Sequence, residues 1–409
     1  MQIKPILSAL RRHKAGTFLI AMQIALTLAI VCNALFIIHQ RVSHLSEPTG
    51  LDEADIFVIQ NEWVGTSTPQ QADAKIREDL VVLRQLAGVQ DATPSNSYPL
   101  RGGGWDDGIK LKPDQQQDTT GSTVYFADDH FIDTLGLKLI AGRNFRADEI
   151  AAMDVRDTLA PPQMIVTKAL ADKLFPNGDA VGKTIYMVGG PGTIVGVVDV
   201  LQAQSVDRWA AEFAHRSTII PKRLASTIGT FYIVRARPGQ LDAAMKAASK
   251  ALFAHNPRRI INEQDGLLSF TEVRSRAYER DRGMAILMGV ICVVLLAITA
   301  AGIVGLTSFW VGQRRKQIGV RRALGATQRD ILNYFMTENL LISSAGALFG
   351  VLLAVAINLW LVTRFEMNRL SLVYVLAGVV ILLLLGQGAV LAPAMRASRV
   401  PPVEATRSV

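Results

Sequence analysis

Cysteine is almost missing from this chain: of 409 residues only Cys32 and Cys292 carry a thiol, and both fall inside long apolar runs. A disulfide framework for the polar part of the chain is thereby excluded, and two thiols in apolar surroundings read as small hydrophobic filler. Histidine is also sparse. His13, His39, His44, His215 and His255 are scattered with no H-E-x-x-H pair, which removes the helical zinc-hydrolase pattern. Asp128-Asp129-His130 offers ligand types side by side, but sequence neighbours rarely point at one ion, so it reads as a polar surface turn. No G-x-S-x-G elbow or carboxylate pair stands out for nucleophilic or acid–base work. The phosphate-loop pattern fails as well. At Asn177-Gly-Asp-Ala-Val-Gly182-Lys183-Thr184 the first glycine is replaced by Asn177, and a strand pattern follows instead of a helix. The chain thus shows no catalytic constellation, no metal site and no ATPase motif of its own.

Charge is missing from four stretches: 16–38, 283–311, 339–362 and 371–392 contain no Asp, Glu, Lys or Arg, and each has at least 22 residues. About 20 apolar residues at ~1.5 Å rise cross a ~30 Å hydrocarbon core, so four transmembrane helices are expected. The first run follows Lys4, Arg11, Arg12 and Lys14 as a secretory signal would, but its 23 residues exceed the roughly 7–15 of a signal core, and it reads as an uncleaved anchor.

The net charge of +8 raises the question of nucleic acid. It is not spread evenly. Residues 1–15 carry four Lys/Arg and no acid, loop 312–332 six against one, and the tail from 393 three against one, whereas 39–282 holds 28 basic and 31 acidic residues. Basic charge on pieces flanking membrane helices is the positive-inside pattern, and the one large polar segment is mildly acidic, which excludes a nucleic-acid groove. The expected topology places 1–15, 312–332 and 393–409 in the cytoplasm, with 39–282 and the short loop 363–370 outside. Residues 1–15 read as an amphipathic helix lying on the cytoplasmic leaflet, the alternative being a disordered basic tail.

The external segment is expected to be an α+β domain. A strand at 56–59 precedes a helix marked by Ile76, Leu80, Leu83 and Ala87; a strand at 231–234 precedes one marked by Leu241, Met245, Ala248 and Leu252. These split strand–helix units bracket residues 100–222, which read as an inserted subdomain of short strands and turns, among them the flexible Arg101-Gly-Gly-Gly-Trp105 and a turn at Gly189-Gly-Pro-Gly192. Residues 269–282 are charge-rich without Pro or Gly and predict an unbroken helical stalk leading into the second span.

The loop after the second span is the informative stretch. Ile318, Gly319, Val320, Arg321, Arg322, Ala323, Leu324, Gly325, Ala326 and Thr327 combine a small apolar face with a basic rim. Gly319 and Gly325 permit sharp turns, and Thr327 with Asp330 forms a helix-start signal. Docking to a cytoplasmic protein and attraction to anionic lipid headgroups both fit these residues. Glu338, at the cytoplasmic end of the third span, reads as a structural anchor, since a charge at mid-bilayer would cost about 2.5–3.5 kcal/mol. Ala297, Ala301 and Gly305 form one stripe of small residues and Gly346 and Gly350 another, each suited to close helix packing within the chain or across a dimer.

Residues 313–350, with Gln-Ile-Gly-Val-Arg-Arg-Ala-Leu-Gly-Ala-Thr at 317–327, resemble the signature of MacB/FtsX-type ABC permeases of the type VII superfamily. So do the opening Ala9-Leu-Arg-Arg-His-Lys14 and the ending Pro393-Ala-Met-Arg-Ala-Ser-Arg-Val-Pro-Pro-Val-Glu-Ala405. The external segment is similar to a MacB-type periplasmic core at 136–145, at Leu174-Phe175, and at 181–184 followed by 194–198. The resemblance implies a bacterial inner-membrane permease subunit whose loop 318–327 is seated on a separate cytoplasmic ATPase that binds ATP and Mg. It also implies a second permease copy or relative, mechanotransmission across the bilayer, and export or efflux with a periplasmic adaptor and outer-membrane duct. Lipoprotein release and FtsX-like control of a cell-wall hydrolase are the alternatives within the family. Position 317 departs from the pattern: Gln317 stands where Glu is common, so any ion pair made by that acid is absent or reduced to a neutral hydrogen bond.

Overall fold

The computed structural model describes residues 14–365 and 369–401, so the amphipathic helix expected at 1–15 lies almost wholly outside the described residues. The described chain separates into two compact units. One is Glu47–Glu279; the other is formed by the chain up to Ser46 and from Arg280 onward. Each is built from the pattern expected of its solvent.

In the membrane unit, α1 (Lys14–Leu45) supplies the first apolar helix. The large domain follows. Its β1 (Ile56–Trp63), rich in residues that suit a pleated surface, precedes α2 (Pro69–Arg84). Thr68 caps α2 by accepting from the Gln71 N–H at 3.3 Å, and Pro69 occupies the first turn, where its missing N–H costs nothing. Ile76, Leu80 and Leu83 are buried as expected, but Ala87 lies beyond the helix, which stops at Arg84 so that the chain can turn into β2 (Val89–Ser95).

The inserted subdomain then runs through β3 (Trp105–Ile109), β4 (Thr120–Phe126), α3 (Phe131–Leu135), β5 (Leu139–Gly142), β6 (Ala151–Met153), β7 (Gln163–Thr167), α4 (Lys168–Leu174), β8 (Thr184–Met187), β9 (Gly190–Val198), β10 (Ser217–Ile220) and β11 (Lys222–Leu224). The chain returns through β12 (Gly229–Ala236), α5 (Leu241–His255), β13 (Arg259–Ile260), β14 (Leu267–Ser269) and α6 (Phe270–Ala277).

The outer strands form one sheet in the order β13-β1-β12-β2, with β14 also on β1. β1 and β12 are antiparallel with Val58 opposite Ile233, so the two strand–helix units predicted from sequence close on each other. Phe57, Ile59, Ile76, Leu83, Tyr232, Ala248 and Leu252 form the core beneath α2 and α5. The inserted sheet, β3-β4-β10-β7-β9-β5 with β8 on β9, has its own core around Val124, Met164, Leu170, Ile185 and Ile194.

After α6, Tyr278 leaves helical geometry (φ −104°, ψ 10°) before α7 (Glu279–Gln313) begins. The stalk expected to be unbroken is therefore interrupted at one residue, whose buried aromatic ring anchors it to the domain through a Gln202 amide at 3.0 Å. The chain ends through α8 (Arg315–Ala323), α9 (Gln328–Phe365) and α10 (Leu372–Ser398). Among the described residues four helices, α1, α7, α9 and α10, are long and apolar enough to cross a membrane.

Candidate functional site

Within the membrane unit α1 is the central helix: 61% of its most apolar window is buried, against 17% for α7. Close packing explains the difference. A Cβ on Gly346 would lie 2.7 Å from the Ala21 carbonyl oxygen, and one on Gly350 would lie 2.9 Å from that of Ala25, so the glycines of α9 let its backbone press on α1. Polar side chains then tie the helices. Thr27 and Thr299 hydroxyls meet at 2.8 Å, and the Asn33 amide donates to the Ala354 carbonyl at 3.2 Å. The other small-residue stripe behaves differently. Ala297, Ala301 and Gly305 are exposed on α7, and nothing lies within 4 Å of a Cβ placed on Gly305.

At one end of this unit the chain breaks at Arg314 (φ −96°, ψ 6°), and α8 leaves at the break. The geometry is held from inside. Arg314 Nη1 donates to both Glu338 carboxylate oxygens at 3.0 Å, with the two side chains only 11% and 3% exposed. Removing Glu338 would leave the Arg314 charge without its partner.

On α8, Ile318 joins the buried cluster of Ile331, Phe335, Ala394, Ala397 and Val400. Arg322 Nη1 donates to the Ser398 carbonyl, and the Arg321 guanidinium lies 5.0 Å from the Tyr334 ring centroid. The element ends where Gly325 adopts φ +96°, a left-handed conformation that favours glycine. Thr327 and Asp330 then cap α9 reciprocally: the Asp330 N–H donates to the Thr327 hydroxyl oxygen at 3.2 Å, and the Thr327 N–H donates to the Asp330 carboxylate at 2.9 Å.

The ten residues singled out by sequence thus divide into two sets. Ile318 and Gly319 are buried and Arg322 and Ala326 half-buried, while Val320, Arg321, Ala323, Leu324, Gly325 and Thr327 are exposed. Leu324 stands out, with 83% of its surface open at the tip of the turn. Gly319 is a correction: it makes no turn but lies inside α8. A mid-helix glycine costs only about 1 kcal/mol, which the burial of Ile318 next to it offsets. Sequence reasoning missed the partner of Glu338; Arg314 sits at the break between α7 and α8, and nothing local pairs the two.

Other candidates resolve into structure. Asp128 accepts from Thr93 at 2.6 Å and Arg84 at 2.8 Å, and burial pushes its carboxyl upward against those bonds. His130 faces Asp91 at 2.9 Å. Gly182 (φ +83°) turns the chain into β8, with Lys183 3.7 Å from Asp179. Among the described residues no group of three or more His, Cys, Asp or Glu is placed to hold a metal ion.

Comparison with known proteins agrees with this architecture. The family model of the MacB-like periplasmic core domain matches residues 17–252, and that of the FtsX-like permease C-terminal region matches 289–402. The ABC transporter permease YvrN of Bacillus subtilis is 25% identical over 292 residues, covering 69% of each chain. YknZ of the same organism is 22% identical over 363 residues, 86% of this chain and 84% of its own. The macrolide export ATP-binding/permease protein MacB of Chromobacterium violaceum is 26% identical over 332 residues, 78% of this chain and 49% of MacB. This chain therefore spans about half the length of that relative. With a core-domain match over more than half its length and the permease region behind it, the chain belongs to the MacB/FtsX family of ABC transporter permeases.

Proposed function

We propose that this permease works with a separate cytoplasmic ABC ATPase, and that α8 and the turn after it are the element on which the ATPase acts. The observation that carries this reading is the division of 318–327 into an anchored face and an open one. Ile318, Arg322 and the Arg314–Glu338 pair fasten the element to α9 and α10, while Val320 and Leu324 are left exposed. An exposed leucine at the end of a rigidly held helix is suited to filling an apolar socket on another protein. The same basic loop could instead hug anionic lipid. That role calls for Lys and Arg and gives no reason for the exposed tip to be leucine.

In this reading 1–15, 312–332 and 393–409 face the cytoplasm, and 39–282 and 363–370 face the periplasm. The ATPase binds ATP and Mg, moves α8, and the displacement passes along α7 through Tyr278 to the external domain. The exposed stripe of Ala297, Ala301 and Gly305 is where a second permease copy, identical or related, packs. MacB carries its ATP-binding part and permease in one protein and is named for macrolide export. For this chain export or efflux, with a periplasmic adaptor and outer-membrane duct, is the corresponding role; lipoprotein release and hydrolase control are the rivals.

Leu324→Glu tests the central step. It places a charge on an exposed position where the fold tolerates it, and should reduce ATPase recruitment and stimulated hydrolysis at least about tenfold. Unchanged recruitment and hydrolysis would remove the docking role.

A further inference from the structure

The large domain contains a cavity of about 550 Å³ that its mechanical role does not use. Its volume lies in the range of small-molecule sites, which combine apolar walls with a few placed polar groups. Leu100, Leu268 and Val273 give it a buried apolar wall. Arg101, Asp207, Asp265 and Arg276 supply its charges, two of each sign.

Three features distinguish this cavity from a packing defect. Leu100 adopts φ +68°, the one positive φ at a non-glycine residue among the described residues. A branched side chain in that region is strained, and such strain concentrates at binding sites. Arg101 is exposed, lies over the Phe231 ring at 4.3 Å and donates to the Gly103 carbonyl at 3.2 Å, yet among the described residues no carboxylate pairs with it. Arg276 differs, being paired with Asp265. Finally, Tyr98 lines the cavity and is buried against the same Phe231 ring at a centroid distance of 5.6 Å. Burial raises the Tyr98 pKa, so the hydroxyl stays protonated and is a donor.

We propose that this cavity binds a small apolar molecule ending in a carboxylate, with Arg101 and the Tyr98 hydroxyl holding the carboxylate and Leu100, Leu268 and Val273 holding the apolar body. A guanidinium presents two parallel N–H donors that match a carboxylate. A monoanion suits the site better than a phosphate dianion, because Asp207 and Asp265 also line it and repel added negative charge. One wall, carrying Val273 and Arg276, is α6, which continues through Tyr278 into α7. A bound molecule would therefore touch the segment that leads into the second span.

The test uses the full chain in phosphatidylcholine nanodiscs, with empty discs subtracted, and needs no ATPase; its failure leaves the coupling role of α8 untouched. N-acetyl-leucine, N-acetyl-phenylalanine and N-acetyl-tryptophan are titrated calorimetrically beside their carboxamides and inorganic phosphate. The acids should saturate below about 1 mM and bind at least about tenfold tighter than the amides or phosphate, the scale of one charge-assisted hydrogen bond. Arg101→Gln, at an exposed position, should erase that preference, and Tyr98→Phe, which keeps the ring, should weaken the acids several-fold. No saturable binding by any acid would overturn the proposal. So would equal binding of acids and amides, phosphate binding as tightly as the acids, or an Arg101→Gln protein that keeps the preference.

Discussion

The arginine–carboxylate pair buried in the large domain and the one buried in the membrane unit are built differently. In the domain, Arg259 spends two nitrogens on Asp79 at 2.9 Å each, reaches the Asn61 side chain at 2.9 Å and donates from Nε to the Asn256 carbonyl at 2.8 Å. Asp79 also accepts from the Tyr232 hydroxyl at 2.7 Å. Both side chains are essentially sealed, so the low-dielectric cost of the charges is met by bonds in every direction. In the membrane unit Arg314 reaches Glu338 through one nitrogen. Each pair has an unpartnered buried amide nearby among the described residues, Asn61 Nδ2 in the domain and Asn339 Nδ2 in the membrane unit, where Ser343 Oγ on the next turn of α9 is unpartnered too. The first pair is saturated and fixes a fold. The second sits at a break between two helices, and is suited to an element that is pushed.

Substitutions test that difference. Asp79→Ala should give the largest effect: a fully buried Arg259 loses its counter-charge, at about 3–5 kcal/mol, read as a lowered unfolding midpoint of the domain. Glu338→Ala should cost less stability, since Arg314 is nearer the surface and can extend toward water, but should lower ATPase stimulation at least about tenfold. Equal loss of stability at the two sites, or an unchanged hydrolysis rate for Glu338→Ala, would erase the distinction.

The two small-residue stripes allow the next comparison. Gly346→Leu drives a side chain into the α1 backbone and should destabilise the membrane unit by about 1–3 kcal/mol, measured by unfolding in detergent. Gly305→Leu meets nothing within 4 Å, so the monomer should unfold as before while the permease–permease complex weakens on native gels.

The smallest effect is one of pH. Arg143 bonds Glu149 at 2.6 and 2.9 Å and holds its carboxyl down at about 2, against an ordinary 4.5. A depressed carboxyl contributes stability that is complete above the unfolded value and is lost as pH falls through about 4.5 to about 2. Because the pair is near the surface, the loss should be under about 1 kcal/mol, and Glu149→Gln should flatten that part of the acid limb.

Much of this architecture was legible because periodicity reports burial. Runs free of charge gave the four membrane helices, and Ile76, Leu80 and Leu83 gave the face of α2. Pairing was not legible. Nothing near Glu338 announces Arg314 at the break between α7 and α8, and nothing near Asp79 announces Arg259. Helix breaks escaped for a related reason: Tyr278 and Arg314 are ordinary helix formers, and tertiary contacts, not propensity, interrupt the helix there. Gly319 misled in the opposite sense, as a turn former kept inside a helix by its buried neighbour. The exposure of Leu324 was hidden too, because an apolar letter in a loop does not say whether it faces inward or out.

One experiment in intact cells decides whether a cytosolic motor grips this chain. A photo-crosslinking amino acid is placed at Leu324 and, separately, at Val188, which is 84% exposed in the large domain. Mechanical coupling across the bilayer predicts capture of an ATP-binding protein from position 324 and none from 188. Capture from 188, or a position 324 that yields only lipid adducts, would contradict it.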